Sequence, residues 1–381
     1  MTEHINPVVL FETMPADNGK LIAIATLNSE KSLNALSLAM VELLLPQMQA
    51  WKADPTIAMV FLQGAGDKAF CAGGDIRDLY HSMQQQPGVF QPYVEEFFTK
   101  EYSLDYLIHT FDKPVLVWGN GIVMGGGLGL MAGASHRIVT ATSRIAMPEM
   151  AIGLYPDVGG SWFLNRMPAG CGLFLGLTGA SINAADAKFI DLADHFIPHD
   201  KKATVLAQLK TIRWGNTVAL NHQKLTDALL QIEELSRNQQ PVSQLRPHQH
   251  QLAALQDCQH LTAAMDAILA LPNEDAWLSK AKTSLRYGSP ITAHIVYRLL
   301  QLGQSKILAD SFRLELGLSV QCAKLGEFTE GVRALLIDKD QQPKWQYASV
   351  AEVPAAVIDE LFRSPWSAAE HPLRELGQVH S

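Results

Sequence analysis

Two carboxylates, Glu149 and Asp157, stand eight residues apart in Met147-Pro148-Glu149-Met150-Ala151-Ile152-Gly153-Leu154-Tyr155-Pro156-Asp157-Val158-Gly159-Gly160, among apolar and turn-forming residues. An acid flanked by Met, Ala, Ile and Leu is partly stripped of water, which raises its pKa and makes it a stronger base or nucleophile. The competing reading is a hydrogen-bonded structural acid. Upstream lie two glycine-rich stretches. The first is Gly64-Ala65-Gly66-Asp67-Lys68-Ala69-Phe70-Cys71-Ala72-Gly73-Gly74-Asp75-Ile76, at the end of a predicted strand. Glycine there lets backbone N–H groups approach an oxygen carrying negative charge, although a plain strand-to-helix turn would look the same. The second is Gly119-Asn120-Gly121-Ile122-Val123-Met124-Gly125-Gly126-Gly127-Leu128-Gly129, which follows a strand and opens a helix. The first N–H groups of a helix have no partner within it, which suits an oxyanion. This stretch has no GxGxxG and no Gly-Lys-Ser/Thr, so dinucleotide and P-loop readings fail and close helix packing is the remaining alternative.

These segments need elements to position them. Short β-branched runs at 21–27, 58–63 and 114–118 read as strands. Between the first two, 36–51 carries Leu38, Val41, Leu44, Leu45 and Met48 at helical spacing, with Ser37 as candidate N-cap. Alternating strands and helices point to an α/β fold. From about residue 200 Leu, Ala and Gln predominate and strand signals vanish; 239–251 reads as a loop, and 291–304, 307–325, 328–336 and 350–362 read as helices. The expected division is a core over 1–200 and a mainly helical region over 201–381.

Composition bounds the rest. At 381 residues the chain exceeds one small core. With 48% hydrophobic and 18% charged residues it is no disordered chain. A net charge of −8 argues against nucleic acid or an anionic membrane as partner, though local cations and backbone amides could still hold an anionic ligand. Cys71, Cys171, Cys258 and Cys322 form no CxxC pair and read as reduced thiols. His195 and His199 with Asp200 lack a second cluster, so no metal site is expected and surface polarity is the simpler reading. The longest apolar run, 121–134, is too short and glycine-dense to span about 30 Å of bilayer. No basic start followed by an apolar stretch precedes the strand-like Val8-Val9-Leu10-Phe11, and a cytoplasmic location is expected.

Taken together, the segments resemble the crotonase (enoyl-CoA hydratase/isomerase) superfamily, whose two signature loops look like Cys71-Ala72-Gly73-Gly74-Asp75-Ile76 and Met124-Gly125-Gly126-Gly127-Leu128-Gly129. The resemblance implies a spiral of repeated ββα units followed by a C-terminal helical region. It implies an oxyanion hole made by the Ala72 and Gly126 amides, and coenzyme A contacts at Lys68, Ala69, Phe70, Gly73, Gly74, Asp75 and Gly125, with Lys68 meeting phosphate or adenine groups. Hydratases of this fold hold a water between two glutamates. The first of these would fall on Gly129, and only the second is filled, by Glu149.

The pattern MPE-x-AIGL-[YF]-PDVGG resembles the 3-hydroxyisobutyryl-CoA hydrolase subfamily more closely and adds Asp157. Glu101, in Phe98-Thr99-Lys100-Glu101-Tyr102, matches a substrate-contacting acid, and the likeness extends through 330–340 to Pro343-Lys344-Trp345. It implies hydrolysis of a short β-hydroxyacyl-CoA, namely 3-hydroxyisobutyryl-CoA in valine degradation. Glu149 would be nucleophile or general base, Asp157 would hold the β-hydroxyl or orient water, and Glu101 would bind the hydroxyl or position Asp157. Coenzyme A is part of the substrate, so no cofactor is implied; relatives of this kind often form homo-oligomers, which the resemblance makes an option for this chain. An enoyl-CoA hydratase or isomerase, and a non-catalytic acyl-CoA binding protein, are the alternatives.

Overall fold

Continuous apolar runs become strands in the computed structural model, which describes residues 7–272 and 275–378. The strands are β1 (Val9–Pro15), β2 (Leu21–Leu27), β3 (Ile57–Gly64), β4 (Ala69–Cys71), β5 (Val115–Gly119), β6 (Ile122–Met124), β7 (His136–Val139), β8 (Arg144–Ala146) and β9 (His195–Phe196). Four helices carry or support the residues singled out from the sequence: α1 (Leu38–Ala53), α2 (Ile76–Gln85), α3 (Pro92–His109) and α4 (Gly126–Ala132). The chain forms two units.

The first unit comprises the chain up to Gly74, Leu107–Ile145 and Ile182–Ser243. Its larger sheet runs β1-β2-β3-β5-β7-β9, parallel except for the β1–β2 pair, with Leu62 of β3 opposite Val117 of β5. A parallel sheet covered on both faces selects unbroken apolar runs rather than alternation, and every residue of β5 is buried. Strands β4, β6 and β8 form a smaller sheet. Helix α1 starts as its sequence predicts: Ser37 accepts a hydrogen bond from the Met40 amide at 3.2 Å, and Val41, Leu44 and Met48 are buried.

Ile22, Phe61, Trp118 and Ile138 pack with Leu209, Trp214, Leu225 and Leu229 into one apolar cluster. The last four come from the helices Lys202–Thr211 and Val218–Glu234 and the turn between them. The sequence groups 201–243 with the C-terminal helices, yet this stretch covers the sheet of the first unit, because its apolar residues fill that cluster. His195 also departs from the surface reading: it is buried, with Nδ1 3.0 Å from Glu233.

The second unit comprises Asp75–Tyr106, Ala146–Ser181 and Gln244–Ser381. It is helical, and its long elements include Pro290–Gly303 and Leu308–Leu325, close to the predicted bounds. Two predicted helices are interrupted. The segment 350–362 splits into a turn at Val350–Glu352 and a helix at Ala355–Leu361, because Pro354 cannot continue the hydrogen-bond ladder. The segment 328–336 becomes a helix at Glu327–Val332 widened at Arg333–Ile337, where Arg333 is paired with Glu330, Asp338 and Asp340. Within 239–251 the loop carries a turn at Arg246–His248 and enters the helix Gln249–Ala253.

Candidate active site

The glycine stretches of the first unit meet backbone to backbone. A Cβ added at Gly127 would come within 2.7 Å of the Cys71 Cβ and closer still to the Cys71 carbonyl oxygen, so only glycine lets α4 start this near β4. Gly125 caps α4 at φ 48°, a backbone conformation that glycine alone adopts without cost. Asn34, buried and itself at φ 56°, ties the first stretch down by donating to the Ala65 and Ala69 carbonyls, each at 3.0 Å.

One expected donor is already spent. The Ala72 amide donates to the Leu33 carbonyl at 3.1 Å, so it has no proton left for an oxyanion. Among the described residues the Gly74 and Gly126 amides have no acceptor. Gly74 and Gly126 are thus among the amides of these stretches left open to a ligand oxygen, whereas the Ala72 amide is engaged by Leu33 in this structure. Lys68 is exposed, whereas Ala69 and Phe70 are wholly buried in β4, where the Phe70 amide donates to the Asn120 carbonyl at 2.8 Å. The side chains of Ala69 and Phe70 therefore face the protein interior. Gly73 sits at φ 116°, which demands glycine.

The acids belong to the second unit. Asp75 is the N-cap of α2 and accepts from the Arg77 amide, a local structural task. Glu149 opens the turn Glu149–Ile152, is 5% exposed, and has one carboxylate oxygen, Oε2, without a partner. Asp157 and Glu101 are buried with it. Burial pushes the Glu149 carboxyl well above its usual range, and the neighbouring charges of Asp157 and Glu101 push the same way. Glu101 is raised by burial and then by Asp157. Asp157 is pushed up to about 6 by burial, against the pull of a 2.6 Å hydrogen bond with the Tyr102 hydroxyl. The three acids singled out from the sequence are thus electrostatically one group.

Sequence reasoning missed several partners. Asp105 lies one helical turn beyond Glu101 on α3, is completely buried, and has neither oxygen satisfied. Glu315, on the helix Leu308–Leu325, accepts from the Gly159 amide at 2.7 Å and from the Ser161 amide at 2.9 Å. Those bonds secure the turn after Asp157, where Val158 stands at φ 50°, a strained conformation for a β-branched residue. The signal was present: Glu315 and Ser319 interrupt an apolar face shared with Phe312, Leu316 and Val320.

A pH dependence arises from Asp157, held at about 6, and Glu315, which burial pushes up to about 8. Both are raised acids, so their contribution to stability is complete below the ordinary carboxylate range and is lost as pH rises through those two values. Denaturant unfolding should therefore give a free energy that falls from about pH 5 to about pH 9, and Glu315→Gln should flatten the upper part of that slope.

Comparison with known proteins gives the same picture. A family model described as enoyl-CoA hydratase/isomerase matches residues 22–362. The mitochondrial 3-hydroxyisobutyryl-CoA hydrolase of Danio rerio is 35% identical over 96% of this chain and 91% of its own length. That of Homo sapiens is 34% identical over 90% and 86%. Among solved structures, an enoyl-CoA hydratase from Rhodobacter sphaeroides is 30% identical over 93% of this chain and 97% of its own, with a TM-score of 0.78. A carnitinyl-CoA dehydratase from Mycobacterium thermoresistibile is 31% identical over 94% and 97%, with a TM-score of 0.81. The mitochondrial names do not support the cytoplasmic location expected from the sequence. Among the described residues no helix is long and apolar enough to cross a membrane.

Proposed function

The chain belongs to the enoyl-CoA hydratase/isomerase family, and from that premise we propose that it hydrolyses 3-hydroxyisobutyryl-CoA to 3-hydroxyisobutyrate and coenzyme A. The observation that carries this reading is Glu149, a buried carboxylate with one free oxygen beside a second buried acid, Asp157. The names of the two solved relatives favour hydration instead. Against hydration stands Gly129, buried in α4, which has no side chain to hold water where the other glutamate of a hydratase would be.

In this scheme Glu149 removes a proton from water as the water oxygen adds to the thioester carbon, or adds itself and gives a mixed anhydride that water then opens. Either way the carbon–sulfur bond breaks and the thiolate, once protonated, leaves as coenzyme A. The Gly74 and Gly126 amides serve as donors to the carbonyl oxygen as it gains charge, a contribution of about 2.7–4 kcal/mol for each such donor. Lys68, exposed at the tip of its loop, serves the anionic part of coenzyme A. Coenzyme A enters as part of the substrate, and the scheme uses no cofactor.

Asp157 and Glu101 are assigned to the β-hydroxyl. Isobutyryl-CoA lacks that group, and a site built to hydrogen-bond a hydroxyl discriminates strongly against an analogue without it. Its kcat/KM should fall at least about 10²-fold below that of 3-hydroxyisobutyryl-CoA. Equal values for the two thioesters would remove the hydroxyl from the assignment.

A further inference from the structure

Four contacts in single file join Asp157 to the helix Leu308–Leu325. Asp157 Oδ2 lies 2.6 Å from the Tyr102 hydroxyl, and that hydroxyl lies 2.7 Å from Ser319 Oγ. Ser319 Oγ lies 2.7 Å from the Tyr155 hydroxyl, which lies 2.6 Å from the Glu315 carbonyl oxygen. Tyr102, Tyr155 and Ser319 are wholly buried and have no other hydrogen-bond partner among the described residues.

Oxygen atoms this close need a proton between them. A hydroxyl carries one proton and a backbone carbonyl none. Tyr102, Ser319 and Tyr155 therefore bring three protons to four contacts. If Asp157 is ionised, Tyr102 must donate to it and Tyr155 must donate to the carbonyl. Ser319 can then fill only one of its two contacts, and the other sets lone pair against lone pair in a buried place. If Asp157 carries a proton, all four contacts are filled in one direction, from Asp157 to Tyr102 to Ser319 to Tyr155 to the carbonyl.

Burial alone pushes the Asp157 carboxyl up to about 6, and the unfilled contact that its anion would leave pushes further in the same direction. The groups acting on one another around Asp157 are Glu101 and Asp105 from α3, Glu149, Tyr102, Tyr155, and Glu315 and Cys322 from the helix Leu308–Leu325, none of them a cation. Buried acids without a cation do not all ionise, so something must select which ones do.

We propose that Asp157 rests as a neutral carboxylic acid whose proton is held by the Tyr102–Ser319–Tyr155 chain, leaving Glu149 as the anionic member of the working pair. Ser319 and the two tyrosines are positioning residues that act through Asp157. The inference deepens the hydrolase reading and rests on it for the meaning of the pair, but the protonation state can be read without turnover. Once Asp157 is neutral, its charge no longer opposes ionisation of Glu149, and burial remains the main cause that raises that carboxyl and makes its anion a strong base or nucleophile.

Infrared difference spectra of the full chain test this through the C=O stretch of a protonated carboxyl, assigned by its loss in Asp157→Asn and followed from about pH 5 to about pH 9. The wild type should show the band at neutral pH. Ser319→Ala leaves Tyr102 free to donate to an ionised Asp157, so the band should titrate away at a pH lower by about one unit or more. Tyr155→Phe frees Ser319 to donate to the carbonyl and should shift the band the same way, which covers the case in which Ser319→Ala fails to fold. Tyr102→Phe removes the hydroxyl that supports the anion and should shift the titration upward. A general loss of packing would not move these variants in opposite directions. No Asp157-dependent band in the neutral wild type, or shifts of one sign in all three variants, would overturn the proposal. A protein that hydrolyses no thioester could still show the band, which separates this result from failure of the proposed function.

Discussion

Glu149→Gln should leave the fold intact and lower kcat for thioester hydrolysis by about 10³–10⁴-fold. The substitution keeps shape and removes the ability to ionise. Glu149 is buried among acids, and burial itself opposes its ionisation. No ion pair is broken by making it neutral, so thermal unfolding should shift little, within about 1 kcal/mol. Release of free thiol from 3-hydroxyisobutyryl-CoA measures the first quantity and a melting curve the second. Turnover within about tenfold of wild type would show that Glu149 is not the group acting on the carbonyl.

A residue without a side chain should give the second large effect. At Gly127 an added methyl meets Cys71 main-chain and side-chain atoms, with the Cys71 Cβ at 2.7 Å, and β4 is too deeply buried to yield. Gly127→Ala should therefore cost about 2–3 kcal/mol of stability and displace the start of α4. The neighbouring Gly126 amide moves with it, and loss of one oxyanion donor lowers kcat by about 10²–10³-fold. Gly215→Ala is the matched control, since the nearest atom to its added methyl lies 3.5 Å away. Denaturant unfolding and steady-state kinetics on both variants separate the effects. If Gly127→Ala behaves like the control, the close approach of the two glycine stretches has no functional weight.

The parts of this fold legible in the sequence are those written locally. Strand β5 announces itself as an apolar run because a covered parallel sheet wants both faces apolar, and Ser37 marks the start of α1 because the cap bond spans three residues. Glu149 and Asp157 stood out for the same reason: an acid in an apolar stretch is conspicuous without knowing what surrounds it. Distant partners were not legible. That the Ala72 amide is engaged depends on the carbonyl of Leu33, which no pattern within the 64–76 stretch encodes. The contact between Tyr102 and Ser319 spans 217 positions, and Glu315 reaches the turn after Asp157 from 154 positions away. His195 reads as surface polarity until Glu233 is seen beside it. Pro354, by contrast, was plain in the sequence, and a helix drawn through it ignores what proline does to the ladder.

The reaction class itself is tested most directly by offering 3-hydroxyisobutyryl-CoA and crotonyl-CoA separately to the purified protein, following free thiol and enoyl absorbance together. Thioester hydrolysis at a site with Glu149 and Asp157 but Gly129 predicts rapid thiol release from 3-hydroxyisobutyryl-CoA and no loss of the enoyl chromophore from crotonyl-CoA. Loss of the enoyl chromophore without thiol release from either substrate would contradict it.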